Sequence, residues 1–494
     1  MINLDKKEVF ILFNEHLGRG YSIYEKSFKT KGNFALFMVK GNKKKELVLT
    51  SKTDDKKGFD VIKKDKIKDY YFHFCELSHK NADTLKKIFP NLNPIPCLNK
   101  ASFGTGDRLG ITTPGHLRAF DNSKLFPFLA QQSVRENERT RRTWKDVLND
   151  VVWGIFQEGY EGEFGADADH IKEEKDLLEA IAEGFTMFTI DPSDHVRELS
   201  KLSENQKNEI YQEILKKHNV NKYLEKTYKI DGKILNFDEK TLRDAAVVYF
   251  DAIEHVEKMY KVVKKKVKMF DFEISVDETE TPTSPLFHIF IVEELRRRNV
   301  EFQNLALRFV GDWQKGIDYI GDIEEFRKEI KIHSEIARNF GGYKLSLHSG
   351  SDKFSVYKYF SESTEGFFHV KTAGTSYLEA IKIIAIHSPE LYRKIHKFAL
   401  KVFNKDKASY HVTTDLSKIP DIDLLKNQEL PKLFEIDSVR QLIHITYGSV
   451  LNARNEKGEY LFRDNLYKIM FDYEEEYYDS IARHIGKHLE LLGY

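Results

Sequence analysis

The sequence predicts an α/β fold, a (β/α)8 TIM-type barrel carrying a small N-terminal α+β module and helical insertions. Three observations point there. Beyond residue 95, short apolar runs stop at polar residues and hand over to helix-periodic segments, as strand, loop and helix do in a βα unit. Eight such runs can be counted, the number of strands in this barrel. The 494-residue length allows a large catalytic body plus an added module.

Residues 1–95 read as the α+β module. Val9–Phe13 and Ala35–Val39 look β-like and are separated by lysine-rich turns, Asp69–Cys75 reads as a further strand, and a helix is expected near Ala82–Phe89. The breaker Pro90-Asn-Leu-Asn-Pro94 marks the boundary. The barrel then occupies 96–437. Its expected strands are Ala101–Thr105, Glu163–Asp167, Thr186–Ile190, Met269–Val276, Leu305–Val310, Lys344–His348, Phe367–Lys371 and Ser409–Thr413. Helical spacing appears in Thr143–Gln157, Glu173–Glu183, Leu286–Arg298, Ile323–Asn339 and Tyr377–His387. The interval 196–267 is too long for one crossover and reads as a helical insertion, long enough to form a lid. Residues 438–494 read as helices packed on the barrel exterior.

Lys plus Arg and Asp plus Glu both total 78, so the formal net charge is zero and no basic field favours nucleic acid. Cys75 and Cys97 lack metal-ligand spacing and suit a reducing compartment. The N-terminus lacks the order of a signal peptide, and no apolar run is long enough to span a bilayer. A cytoplasmic protein without a membrane or nucleic-acid partner is expected, and homo-oligomerisation is left open.

The stretch Lys268–Ser284 concentrates the chemistry. Alternation puts Phe270, Phe272, Ile274 and Val276 on one face and Asp271, Glu273, Ser275 and Asp277 on the other, and the chain continues through Glu278 into a Thr/Pro/Ser loop. Such a loop, at the carboxyl end of a strand, is where barrel enzymes keep their chemistry. In Gly104-Thr-Gly-Asp-Arg-Leu-Gly110, glycines allow close backbone approach, and Asp107 and Arg108 are candidates for holding substrate, although a tight structural turn reads as well. The spacing is not a dinucleotide fingerprint. Ile190-Asp-Pro-Ser-Asp-His195 sets a carboxylate beside an imidazole; taken alone, helix capping by Ser193 or Asp194 explains it better. Leu345-Ser-Leu-His348 ends a strand in histidine and runs through a Ser/Gly loop to Asp352. In Phe368-His369-Val-Lys371-Thr372, a lysine and a histidine share one face, and the lysine needs an anion if buried. Arg308 lies on another expected strand. Imidazoles and carboxylates at one rim form a ligand set for a divalent cation, Zn, Mn, Ni, Co or Fe, with open positions for substrate oxygens.

Six ordered blocks carry a resemblance: Ser102–His116, Ile190–His195, Glu273–Ser284, Arg308–Asp312, Lys344–Ser355 and His369–Ser376. Over about 100–420 the sequence resembles the tagaturonate/fructuronate epimerase family. That resemblance implies a divalent-metal-dependent isomerase of hexuronate breakdown, interconverting D-tagaturonate and D-fructuronate, and a barrel fold. It implies Asp194 as proton acceptor, Glu273 as proton donor, and His195, Gln314 and His348 as metal ligands; Asp277 and Glu278 compete with Glu273 for the acid role. Retro-aldol chemistry is the expected route. A metal-dependent aldolase or ketose isomerase on sugar acids, and a non-catalytic sugar-acid binding protein, are the alternatives.

Overall fold

In the computed structural model, which describes residues 4–494, eight parallel strands close into a barrel. They are β1 (Ser102–Gly106), β2 (Phe126–Ser133), β3 (Gly165–Ile171), β4 (Met187–Ile190), β5 (Asp271–Val276), β6 (Asn304–Leu307), β7 (Lys344–Leu347) and β8 (Phe368–Thr372), with β8 pairing back to β1. Every residue of β1, β2, β5, β6, β7 and β8 is buried, as parallel strands covered by helices outside and filled by side chains inside must be.

The expected strand Ser409–Thr413 is instead a loop, whose Tyr410 and His411 line the cavity at the barrel mouth. The missing strand is Phe126–Ser133. It carries Pro127, which lowers its β-character, and ends in amide and hydroxyl residues rather than β-branched ones. The 196–267 segment also departs from a lid. Its 28-residue helix, Glu239–Lys266, packs beside the helices Glu174–Glu183 and Pro285–Arg297 and so takes an ordinary place in the outer ring. The segment also holds the helix Glu204–Lys217 and a small hairpin, Thr227–Ile230 with Lys233–Asn236. Ser193 and Asp194, the expected cap residues, lead into no α-helix but into single 3-10 turns at Ser193–His195 and Leu199–Lys201.

Before the barrel, an antiparallel sheet of five strands (Ser22–Lys31, Phe34–Lys40, Lys45–Ser51, Val61–Ile67 and Tyr70–Cys75) is covered on both faces. Ala35, Phe37 and Val39 meet Val9, Leu12 and Phe13, whereas Leu36 and Met38, on the other face, join the main core. Val9–Phe13, which looked β-like, belongs to the helix Lys6–His16; Asp5 caps it through the Glu8 N–H, and Val9, Leu12 and Phe13 fall on one helical face. The C-terminal helix Glu474–Leu491 packs on the helices Thr113–Ala119 and Thr375–His387. Among the described residues no helix is long and apolar enough to cross a membrane, and both cysteines are buried and unpaired.

Gly374, just after β8, has φ 80°, and a Cβ there would lie 2.5 Å from Arg108 Cζ and from His444 Nε2. Neither neighbour can give way easily, because the Arg108 Nε donates to Glu136 (2.9 Å) and its Nη1 to the His444 carbonyl (2.8 Å). Backbone strain and overpacking together make Gly374→Ala cost about 2–4 kcal/mol, read as a lowered denaturation midpoint at unchanged slope. An unaltered midpoint would mean that the β8 turn relaxes.

Candidate active site in the barrel

Polar residues spaced two apart along the strands fill the inside of the barrel in levels, as the pleat requires. At the floor, the Asp271 carboxylate accepts from the Cys97 N–H (2.5 Å) and the Leu98 N–H (2.7 Å). Lys344 donates to the Lys100 carbonyl (2.9 Å), and Ser102 Oγ meets His369 Nδ1 (2.9 Å). His369, a candidate for substrate contact, therefore lies deep, against Ser102 and the Phe128 ring; burial holds its pKa well below the usual imidazole value.

The centre is organised by Lys371. Its Nζ lies 2.7 Å from Asp167, 2.7 Å from Asp169 and 2.8 Å from Glu273, and donates to Thr189 Oγ1 at 2.6 Å. All are buried. Burial opposes the ammonium, yet the three carboxylates override it and raise the Lys371 pKa. Burial pushes Asp167 up to about 7, with repulsion from Asp169 and Glu273 added. Burial disfavours ionised Glu273 as well, but Lys371 and His348 hold it below the ordinary carboxylate range. Glu273 Oε2 is buried without a hydrogen-bond partner.

Above this layer, His348 Nε2 contacts Glu273 Oε1, and His348 Nδ1 lies 3.6 Å from Asp277. His170 Nδ1 bonds Asp169 (2.8 Å), and its ring is centred 5.0 Å from that of His348. Burial works against a charged His348, but Glu273 and Asp277 push its pKa up to about 10. One ligand-type atom from each of His170, Asp277 and His348 falls within 4.8 Å of the others. Two imidazoles and a carboxylate around one point suit a divalent transition ion with open positions. The backbone is bent to make this group: β3 shifts register between Ala168 and Ile171, and His170 takes a left-handed φ of 52°.

The other expected site residues are placed as follows. Asp194 and His195 are exposed; Asp194 pairs with Lys172 (2.7 Å) and His195 stacks on His255 at 4.3 Å. Asp194 lines a side cavity of about 360 Å³ that His170, Arg135 and Glu278 share. Gln314 is fully engaged: its Oε1 accepts from the Thr413 N–H and Gln441 Nε2 (both 2.8 Å), and its Nε2 donates to Asp312 (2.6 Å). Asp107 accepts from the N–H groups of Leu109, Gly110 and Thr112 and so shapes its own loop. Arg108 is held by Glu136 and His444, Asp352 by His484 (2.6 Å) and Arg440 (2.9 Å), and Thr372 by the Gly104 carbonyl (2.9 Å). Glu278 and Arg308 line the mouth cavity of about 490 Å³, together with Asp277 and His348.

Asp167, Asp169 and His170 escaped the sequence reading, which ended β3 at Asp167. The signal was present as Asp-x-Asp-His, a second carboxylate–imidazole pair resembling Asp194-His195 but on a strand. A cavity of about 960 Å³ lies elsewhere, between the N-terminal sheet and the C-terminal helices; no histidine lines it, and Lys45 there pairs with Glu474 (2.7 Å).

Removing the central cation leaves buried carboxylates facing one another. Lys371→Met should destabilise the fold by about 3–5 kcal/mol, measured by urea titration, and a second change, Asp167→Asn, should recover part of the loss. Equal stability of Lys371→Met and the parent would contradict the ion-pair description.

The tagaturonate epimerase family pattern matches residues 24–492. The chain is 56% identical over 485 residues to the tagaturonate/fructuronate epimerase of Thermotoga maritima, covering 98% of this chain and 99% of that one. It is also similar to a glycerol-complexed crystal structure of the fructuronate-tagaturonate epimerase of Cohnella laeviribosi, with TM-score 0.92 and 40% identity over 99% of this chain and all of that one. The native crystal structure of the same enzyme gives a TM-score of 0.90 at 40% identity, over 99% and 100% of the two chains.

Proposed function

Since the chain belongs to the tagaturonate epimerase family along nearly its whole length, we propose that it interconverts D-tagaturonate and D-fructuronate inside the barrel mouth by opening and re-forming one carbon–carbon bond. The observation that carries this reading is the convergence of Glu273, Asp169 and Lys371 beneath the His170, Asp277 and His348 group.

The two sugar acids differ at a carbinol carbon two positions from the ketone. Its hydrogen is not α to a carbonyl, so enolisation does not invert it. Retro-aldol cleavage does. The hydroxyl proton of the inverted carbon passes to a carboxylate, and the bond to the carbon beside the ketone breaks. Its electron pair moves toward the ketone as an enediolate, and the other fragment becomes an aldehyde. Rotation of the aldehyde and attack on its opposite face return the other epimer, with the proton going back to oxygen.

Glu273 suits the proton transfer, being ionised and carrying an oxygen with no partner. Asp169, across Lys371 from Glu273, is the second carboxylate able to take and return a proton. It fills the acceptor role here in place of Asp194, which faces solvent beside Lys172. Lys371 bonds both groups and fixes their separation. His170, His348 and Asp277 would hold the divalent ion, and when bound it supplies Lewis-acid polarisation of the ketone and its neighbouring hydroxyl.

His348→Ala and His170→Ala should each lower bound metal per folded chain, read by elemental analysis, along with turnover, because the remaining groups hold the ion less tightly. Full occupancy in either variant would remove that residue from the ligand set. Glu273→Gln should retain the metal and lose about 10²–10⁴-fold in kcat on tagaturonate, since the amide keeps the shape but cannot carry the proton. Near-normal turnover would exclude Glu273 from the proton transfer.

A further inference from the structure

Three cations at the barrel mouth lack an anionic partner. Arg135 follows β2, Arg308 follows β6, and Lys315 lies in the loop beyond β6; all line the same cavity of about 490 Å³. Among the described residues none of the three forms an ion pair with a carboxylate; of the four carboxylates that line the cavity, Asp277 and Asp312 are engaged by His348 and His411, while Glu278 and Glu280 are near but not paired with any of the three. Lys315 Nζ donates only to Ser349 Oγ (2.6 Å). Arg135 has the Tyr410 ring at 5.0 Å and a long contact, 3.5 Å, to the Ser409 carbonyl. Arg308 Nε is buried with no partner at all. Recessed guanidinium and ammonium groups satisfied only by neutral oxygens and a ring are arranged for an incoming anion, and a planar carboxylate matches a guanidinium fork.

Resting on the epimerase reading of this mouth, we propose that Arg308, Arg135 and Lys315 form the subsite for the substrate's carboxylate and retain the aldehyde-acid fragment while its carbonyl turns over. The chemistry makes such a clamp necessary. When the bond beside the inverted carbon breaks, the electron pair stays with the enediolate half, which keeps the ketone-derived oxygens. The hydroxyl proton goes to one of the two carboxylates, Asp169 or Glu273, that Lys371 bonds. The other half is a three-carbon aldehyde bearing the carboxylate, and no bond connects it to its partner. To invert, its aldehyde carbon must rotate about the bond to the carbinol carbon that carries the carboxylate. Anchoring the carboxylate leaves that rotation open and blocks escape. The same anchor discriminates a uronate from a neutral ketohexose, because burying these cations without an anion leaves their donors unpaired.

The test compares the full-length parent, Arg308→Met and Lys315→Met with tagaturonate and with tagatose, its neutral counterpart. Steady-state kinetics, equilibrium binding of both sugars and a carbonyl trap for leaked three-carbon aldehyde acid are measured. The expected result is a rise in KM for tagaturonate of about 10- to 100-fold in each variant, a fall of similar size in the ratio of tagaturonate to tagatose affinity, and more trapped aldehyde per turnover. Arg308→Lys should restore part of the ratio. Unchanged KM and an unchanged ratio in both variants overturn the subsite, and a normal leak overturns the clamp. If Arg308→Met fails to fold, Lys315→Met and Arg135→Met carry the comparison. A parent with no turnover would defeat the epimerase reading alone, since the binding ratio still reports on the cations.

Discussion

The Lys371 ammonium, enclosed by Asp167, Asp169 and Glu273, is the contact on which the rest of the site depends. Four buried or half-buried carboxylates, counting Asp277, stand against one lysine, so the barrel interior is acidic and demands further positive charge. His170 and His348 meet that demand in two ways: as protonated rings, which the upward shifts of both describe, or as neutral ligands of a divalent ion. The same excess of negative charge therefore accounts for the raised imidazole pKa values and for a cation-seeking interior beneath the mouth. A buried charge cluster of this kind adds little net stability, and in the proposed reaction its value lies in fixing the carboxylates that carry the proton.

That cluster is built by strand geometry. Asp167 and Asp169, Asp271 and Glu273, and His369 and Lys371 are each two residues apart, so each pair points into the barrel at successive heights. The upper level lies near the carboxyl ends of the strands, where the residues Asp277, Arg308 and His348 converge on one cavity and where the proposed chemistry is set. The lower level, with Asp271, Lys344, Ser102 and His369, closes the floor against the backbone of residues 97–100. The division explains why two histidines on neighbouring strands differ: His348, at the rim, has two carboxylates beside it, while His369, below, is kept neutral by burial.

Much of this was legible in the sequence. Glu273 sat on an acidic face, His348 at a strand end, and Lys371 called for an anion, because two-residue periodicity and buried charge are both visible without coordinates. Other parts were hidden for physical reasons. β2 contains a proline and amides, so its β-character comes from its neighbours. The loop at Ser409–Thr413 has a strand's composition, but its aromatic residues serve the cavity mouth. His170 was missed because a register shift and a left-handed backbone, neither written in local propensity, turn it toward His348. Asp107, Arg108, Asp352 and Gln314 carry the residue types of a binding site, yet their hydrogen-bonding capacity is spent on loops and helix contacts.

The account turns on inversion by carbon–carbon cleavage, with protons exchanged only at oxygen on the inverted carbon. The direct measurement is proton and carbon NMR of the product formed from tagaturonate in deuterium oxide. Retention of the original hydrogen on the inverted carbon is predicted, because that C–H bond is never broken. Deuterium at that carbon would contradict the account and require proton abstraction from carbon instead.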